Sequence, residues 1–170
     1  MLDQLRPGGV PAFRSPKFVF AHIISPHPPF VLGSQGEAVH RADTDLAGYR
    51  DQVLFLNRQL ETILPALIAA SDPPPIIILQ ADHGRGGPSM WERMAILNAL
   101  YLPGVGEQLL YPEISPVNTF RVIFNAYFDA DYTLLEDTSY HSTYQAIYRF
   151  ELVPETRLGC WGNLGAEEDV

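Results

Sequence analysis

The stretch PIIILQADHG, residues 75–84, decides the reading of the fold. Ile76 to Gln80 is a short apolar run that follows three prolines. That pattern suits a central strand of a parallel sheet, covered by helices on both faces. The run leads directly into Asp82-His83-Gly84. A carboxylate and an imidazole side by side at a strand's end can both bind one divalent metal. The hard oxygen with an imidazole suits Mn, Zn or Mg better than a soft-metal site. Gly84 lets the backbone turn sharply beside them. Two ligands do not complete a site, so others must come from elsewhere in the fold. The local alternative is that Asp82 caps the following loop and His83 is simply exposed.

Upstream, apolar residues recur at helical spacing from Thr44 to Ala70. Leu46, Tyr49, Val53, Leu56, Leu60, Ile63 and Leu67 fall on one face. Thr44 or Asp45 can cap the start, and Pro65 can kink the helix or split off its last turn. Before it, residues 31–43 are polar and read as a surface loop. Phe18 to Ile24 (FVFAHII) has the aromatic and β-branched content of a buried strand. It stops at SPHPPF, whose prolines cannot donate to a ladder. His27 therefore sits in a rigid loop, placed to bind an anionic oxygen or move a proton. The alternative is a turn histidine packed on Phe30. His22 reads as a hydrogen-bonded core residue.

Downstream, Arg85 to Glu92 is Gly-rich and reads as a mobile segment. Arg85 is a candidate anion contact or a plain surface residue. Ala95 to Leu102 reads as another strand, stopped by Pro103-Gly104. Pro116 to Phe128 reads as a helix capped by Ser115, with Val117, Phe120, Ile123, Phe124 and Tyr127 inward. The remainder to Val153 is aromatic-rich and irregular. This alternation of strands and helices points to an α/β sheet. In such sheets ligands bind beyond the carboxyl ends of the strands, where His27, Asp82 and His83 are all expected.

Composition narrows the class. The 170 residues carry 11 Lys+Arg against 20 Asp+Glu, a formal charge of −9. That balance argues against a nucleic-acid surface, which needs clustered cations. With 46% hydrophobic and 18% charged residues, the chain can bury enough apolar surface to offset backbone ordering. No segment reaches the roughly 18 apolar residues of a membrane span. The N-terminus lacks an apolar signal-peptide core. Cys160 is the single cysteine, which excludes an internal disulfide and a multi-cysteine zinc site. Ser89 and Thr119 are hydroxyls outside any nucleophile-elbow pattern.

FVFAHIISPHPPF (18–30), PIIILQADHG (75–84), ILNALYLPG (96–104) and SPVNTFRVIFNAYF (115–128) together, in this order, resemble the C-terminal half of an alkaline phosphatase/sulfatase superfamily catalytic domain. Within it the chain looks most like bacterial sulfatase-like hydrolases. The resemblance implies a three-layer α/β fold, a mostly parallel sheet with helices on both faces. It would occupy residues 17–153, between a loose lead-in (1–16) and a C-terminal tail (154–170). It implies Asp82 and His83 as ligands of a divalent metal (Mn, Zn, Mg or Ca), and His27 as the group that binds the phosphate or sulfate oxygen. The implied substrate is a small-molecule or lipid-linked phosphate or sulfate ester. The family's N-terminal acidic ligand and nucleophile have no counterpart here, and Cys160 follows the Asp-His-Gly motif and lacks the sulfatase cysteine context. The expectation is thus a truncated domain with an incomplete site, inactive alone. The alternative is a non-catalytic module that forms a homo-oligomer or pairs with a separate N-terminal half. Relatives' catalytic domains often face outward from a membrane, which implies an extracytoplasmic place for a full-length parent, while this chain reads as soluble.

Overall fold

A helix built on the 44–70 periodicity needs a start signal, an apolar stripe and something to pack against, and the chain has all three. The computed structural model describes residues 5–6, 16–85 and 90–154. The chain divides into two compact units, 1–74 and 75–170. In the first, helix α1 spans Leu46–Ala69. Asp45 is its N-cap, accepting from the Ala47 amide at 2.9 Å. Pro65 lies inside the helix without splitting it.

Its packing partner is a hairpin. Strands β1 (Phe30–Leu32) and β2 (Ala38–Arg41) pair antiparallel, Phe30 with Arg41 and Leu32 with Ala38. Gly36 closes the turn at φ 85°, a conformation that favours glycine. Phe30 is buried against Gly48 of α1, where an added Cβ would come within 2.8 Å of the Phe30 side chain. Tyr49 meets the Phe30 ring edge-on at 6.5 Å. The buried Gln52 accepts from the Val31 and Leu32 amides at 3.1 and 3.4 Å. Arg41 bonds Asp45 at 3.3 Å and Asp51 at 3.1 Å, tying β2 to the start of α1.

In the second unit, β3 (Ile77–Gln80) and β4 (Asn98–Tyr101) form an antiparallel ribbon in unbroken register from Ile77–Tyr101 to Gln80–Asn98. Between them lies the short helix α2 (Met90–Met94). A 3-10 turn at Gly104–Leu109 leads towards helix α3 (Pro116–Tyr127). Leu102, Val122 and Ile123 form the core, with Ile76, Ile78, Leu100, Leu110, Ile114 and Tyr127 packed around them. Burying each such aliphatic side chain contributes about 1.5–3 kcal/mol. A last hairpin joins β5 (Tyr140–Thr143) and β6 (Ala146–Leu152), with irregular register between them.

A polar clasp fixes the approach to that hairpin. Asp137 accepts from the Ser115 amide (2.8 Å) and hydroxyl (2.6 Å), the Tyr111 hydroxyl (2.5 Å) and the Asn118 amide group (3.1 Å). Asn118, fully buried, also bonds Leu135 through both its backbone groups, at 2.8 and 2.9 Å. Burial pushes the Asp137 carboxyl up, but these donors outweigh it and hold it below its ordinary value. Burial, and then the bond to Asp137, raise the Tyr111 hydroxyl.

Several expectations are corrected. The sheet is not mostly parallel with helices on both faces. The described strands form three two-stranded ribbons, all antiparallel. The apolar run at 76–80 does make a strand, but it pairs with the strand that follows it. Phe18 to Ile24 is no strand: Phe18 and Phe20 are 81% and 80% exposed. Strand preference expresses itself only where a neighbour supplies the ladder, and none of the described strands does so here. The supposed loop at 31–43 contains the first hairpin, and the irregular remainder contains the last. Helix α3 presents only part of the face expected: Ile123 is buried and Tyr127 packs against the core as expected, and the rest differs. Asn118, Thr119, Val122 and Ile123 point inward, while Val117, Phe120 and Phe124 are exposed. The clasp on Asn118 turns the helix this way. No described helix is long and apolar enough to cross a membrane.

Candidate metal centre

Asp82 and His83 lie immediately beyond β3, so a regular ribbon delivers them to a fixed place. With the ribbon antiparallel, the rule for ligand sites in parallel sheets no longer supports them. The pair stands on its own geometry. Asp82 Oδ2 lies 3.7 Å from His83 Nε2. The other ring nitrogen, His83 Nδ1, is 2.6 Å from the Gly84 carbonyl oxygen. A carbonyl only accepts, so Nδ1 carries the proton, and in the neutral ring Nε2 keeps its lone pair. That tautomer is the one a metal-binding histidine needs, with the second nitrogen held by a backbone carbonyl. The Asp82 side chain is 90% exposed, leaving its oxygens open to a ligand.

The turn is held by the backbone of α2 and of the residues after it. The Gly84 amide donates to the Arg93 carbonyl at 2.6 Å, and the Ala81 amide to Leu97 at 2.9 Å. Gly84 is required here by closeness, since it is not among the positive-φ residues. An added Cβ would sit 2.0 Å from the Glu92 carbonyl oxygen and 2.5 Å from that of Ala95. Arg85 bonds Glu92 Oε1 at 2.7 Å, which gives the expected anion contact an internal partner.

An oxygen and an imidazole nitrogen suit a borderline divalent cation, and they make up half of a four-coordinate set. Among the described residues no group of three His, Cys, Asp or Glu side chains is placed to hold a metal. His27 belongs to the first unit. Its exposed ring repeats the His83 arrangement, with Nδ1 donating to the Pro28 carbonyl at 2.6 Å and Nε2 left outward. Thr119 is fully buried and its hydroxyl accepts from Gln80 at 3.3 Å, so it serves packing rather than attack. Ser89 and Cys160 lie outside the described residues.

Sequence reasoning missed Glu92 and the Asp137 clasp. Glu92 had a faint signal: an acidic residue seven positions from Arg85 across a glycine-rich segment. The clasp had none, because Tyr111, Ser115, Asn118 and Asp137 share no local spacing that points to a common acceptor. In comparisons with known proteins, no family model matches the chain, and neither a curated protein nor a solved structure matches it.

Proposed function

We propose that the chain supplies the metal-binding part of a sulfatase-like, metal-dependent hydrolase or transferase of phosphate or sulfate esters. The carrying observation is the Asp82–His83 pair, 3.7 Å apart with His83 Nδ1 engaged by Gly84. A bound divalent ion supplies charge stabilisation at the ester oxygens. Asp82 contributes the anionic oxygen and His83 the neutral nitrogen. The mixed donor set favours Mn or Zn over Ca, which takes mainly oxygen ligands. No described side chain is assigned as nucleophile, so this reading predicts binding without turnover. The test is p-nitrophenyl phosphate and p-nitrophenyl sulfate with Mn or Zn. Product release is expected at the metal-only background, with metal affinity lost in Asp82→Ala. Turnover that disappears in Asp82→Ala contradicts the missing nucleophile, and equal metal affinity in both proteins contradicts the metal reading.

A second reading is a non-catalytic assembly module that self-associates or pairs with a separate chain. It is supported by the exposed, mutually contacting rings of Phe120, Phe124 and Phe128, since exposed apolar patches mark interaction surfaces. Sedimentation velocity across a concentration series discriminates. A monomer at every concentration counts against self-association.

A further inference from the structure

We infer that the open edge of β6 is a self-pairing surface, to which β6 of a second copy of this chain adds antiparallel about a two-fold axis at Phe150. This inference is independent of the metal reading. It deepens the self-association reading by giving it a surface and a register.

The β5–β6 ribbon is incomplete by itself. Two strands alone are marginally stable in water and need a third strand or a covering layer. β6, Ala146–Leu152, is seven residues long, and among the described residues only β5 pairs with it. Tyr140 lies opposite Leu152 and His141 opposite Glu151, and the Val153 amide donates to the Ser139 carbonyl at 2.9 Å. Backbone groups alternate in direction along a strand. Those of Val153 and Glu151 therefore face β5, and those of Leu152 and Phe150 face the open edge. Side chains alternate as well. Arg149 and Glu151 share one face, where they bond at 3.2 Å. The other face is apolar: Tyr148, Phe150 and Leu152 are 86%, 66% and 62% exposed. No proline or lysine lies in β6 to discourage edge pairing.

The charges select a second copy as the occupant. They are of opposite sign and stand one on each side of Phe150. In an antiparallel pair centred on Phe150, Arg149 of each copy faces Glu151 of the other. Tyr148 of each faces Leu152 of the other, and the two Phe150 rings meet. Opposite charges directly across a ladder stabilise it, and like charges destabilise it. The outward backbone groups permit other registers only in steps of two residues. One step either way sets Arg149 against Arg149 or Glu151 against Glu151. A two-fold interface must complement itself, and this strand does so in one register. The exposed ion pairs fix the register, while main-chain bonds and the apolar face supply the affinity. The product is a four-stranded sheet whose outer strands are the two copies of β5, only four residues each. Such short edges pair poorly, so assembly stops at a dimer.

The test uses the full chain, with sedimentation velocity across a concentration series and hydrogen exchange at the Phe150 and Leu152 amides. The wild type is expected to pass from monomer to dimer, with both amides slowing as the dimer forms. Arg149→Glu and Glu151→Arg each set like charges against one another twice per dimer. Each is expected to weaken pairing about tenfold or more. Both side chains are exposed, so the far-UV spectrum is expected to be unchanged. Glu151→Arg also lowers the net negative charge, so its loss of pairing is not overall repulsion. Mixed in equal amounts, the two variants present opposite charges to each other at both positions and are expected to pair as the wild type does. A dimer retained by both variants overturns this inference and leaves self-association to another surface. Pairing lost in both variants and not recovered on mixing overturns the register. A monomer at every concentration overturns the inference outright, and slow Phe150 and Leu152 amides in that monomer assign the edge to another segment of the same chain.

Discussion

At the scale of single residues, Gly84 is the position with the least freedom. Two backbone carbonyl oxygens, from Glu92 and Ala95, occupy the space a side chain would need. Gly84→Ala is therefore expected to destabilise the second unit by about 1–3 kcal/mol, the range for forced overpacking. Urea unfolding followed by far-UV circular dichroism measures it. Asp137 gives a second residue-level expectation. Its folded value lies below the ordinary carboxylate value, because the donors around it outweigh burial. A depressed carboxylate contributes stability above its unfolded pKa and loses it as pH falls through the folded value. The stability difference between wild type and Asp137→Asn is thus expected to be steady at neutral pH and to shrink below about pH 4. Thermal unfolding across a pH series checks this; a difference that grows as pH falls contradicts it. Of the site, Asp82, His83 and Gly84 were legible as a local motif, because the chemistry lies in adjacent residues. Glu92 was not, because its pairing with Arg85 depends on α2 folding back onto the turn.

At the scale of elements, the clasp between α3 and the segment before β5 sets the helix's orientation. Asp137→Ala removes the acceptor for four donors, one of them on the fully buried Asn118. Unsatisfied buried donors cost about 1–3 kcal/mol each, so a loss of roughly 3 kcal/mol is expected, read by chemical denaturation. Helix α1 gives an opposite case. Pro65 is exposed and lies inside the helix, where it lacks the N–H of the hydrogen-bond ladder. Pro65→Ala is expected to raise stability by about 1 kcal/mol or more, seen as a higher melting temperature. The same two helices show what periodicity can and cannot tell. In α1 the bounds were legible from spacing and Asp45, since a long amphipathic helix reports itself locally. In α3 the bounds were legible from Pro116, but the face was legible only at Ile123 and Tyr127. Aromatic residues look like core in sequence, and here Phe120, Phe124 and Phe128 contact one another outside, at 6.0 and 5.7 Å between ring centroids. Hydrogen bonds from residues far along the chain decided which side turned inward. The run at 76–80 likewise reported that its residues avoid water. It could not report which strand would pair with it, and β4 does so from the antiparallel side.

At the scale of the whole molecule, a charge of −9 and a set of exposed aromatic side chains act in opposite directions. Like charge keeps copies apart, and apolar exposure draws them together. Any self-association is therefore expected to strengthen as salt screens the charge, over a Debye length that falls to about 3 Å at 1 M. Sedimentation at low and high salt measures the direction. Association that weakens with salt would point instead to ionic contacts between copies. The account as a whole rests on Asp82 and His83 acting as one half of a metal site. The most direct measurement is calorimetric titration of the full chain with Mn2+ or Zn2+, beside Asp82→Ala and His83→Ala. The account predicts saturable binding of one ion by the wild type, weakened at least about tenfold by either substitution. Binding that is equal in all three proteins, or absent from the wild type, would contradict it.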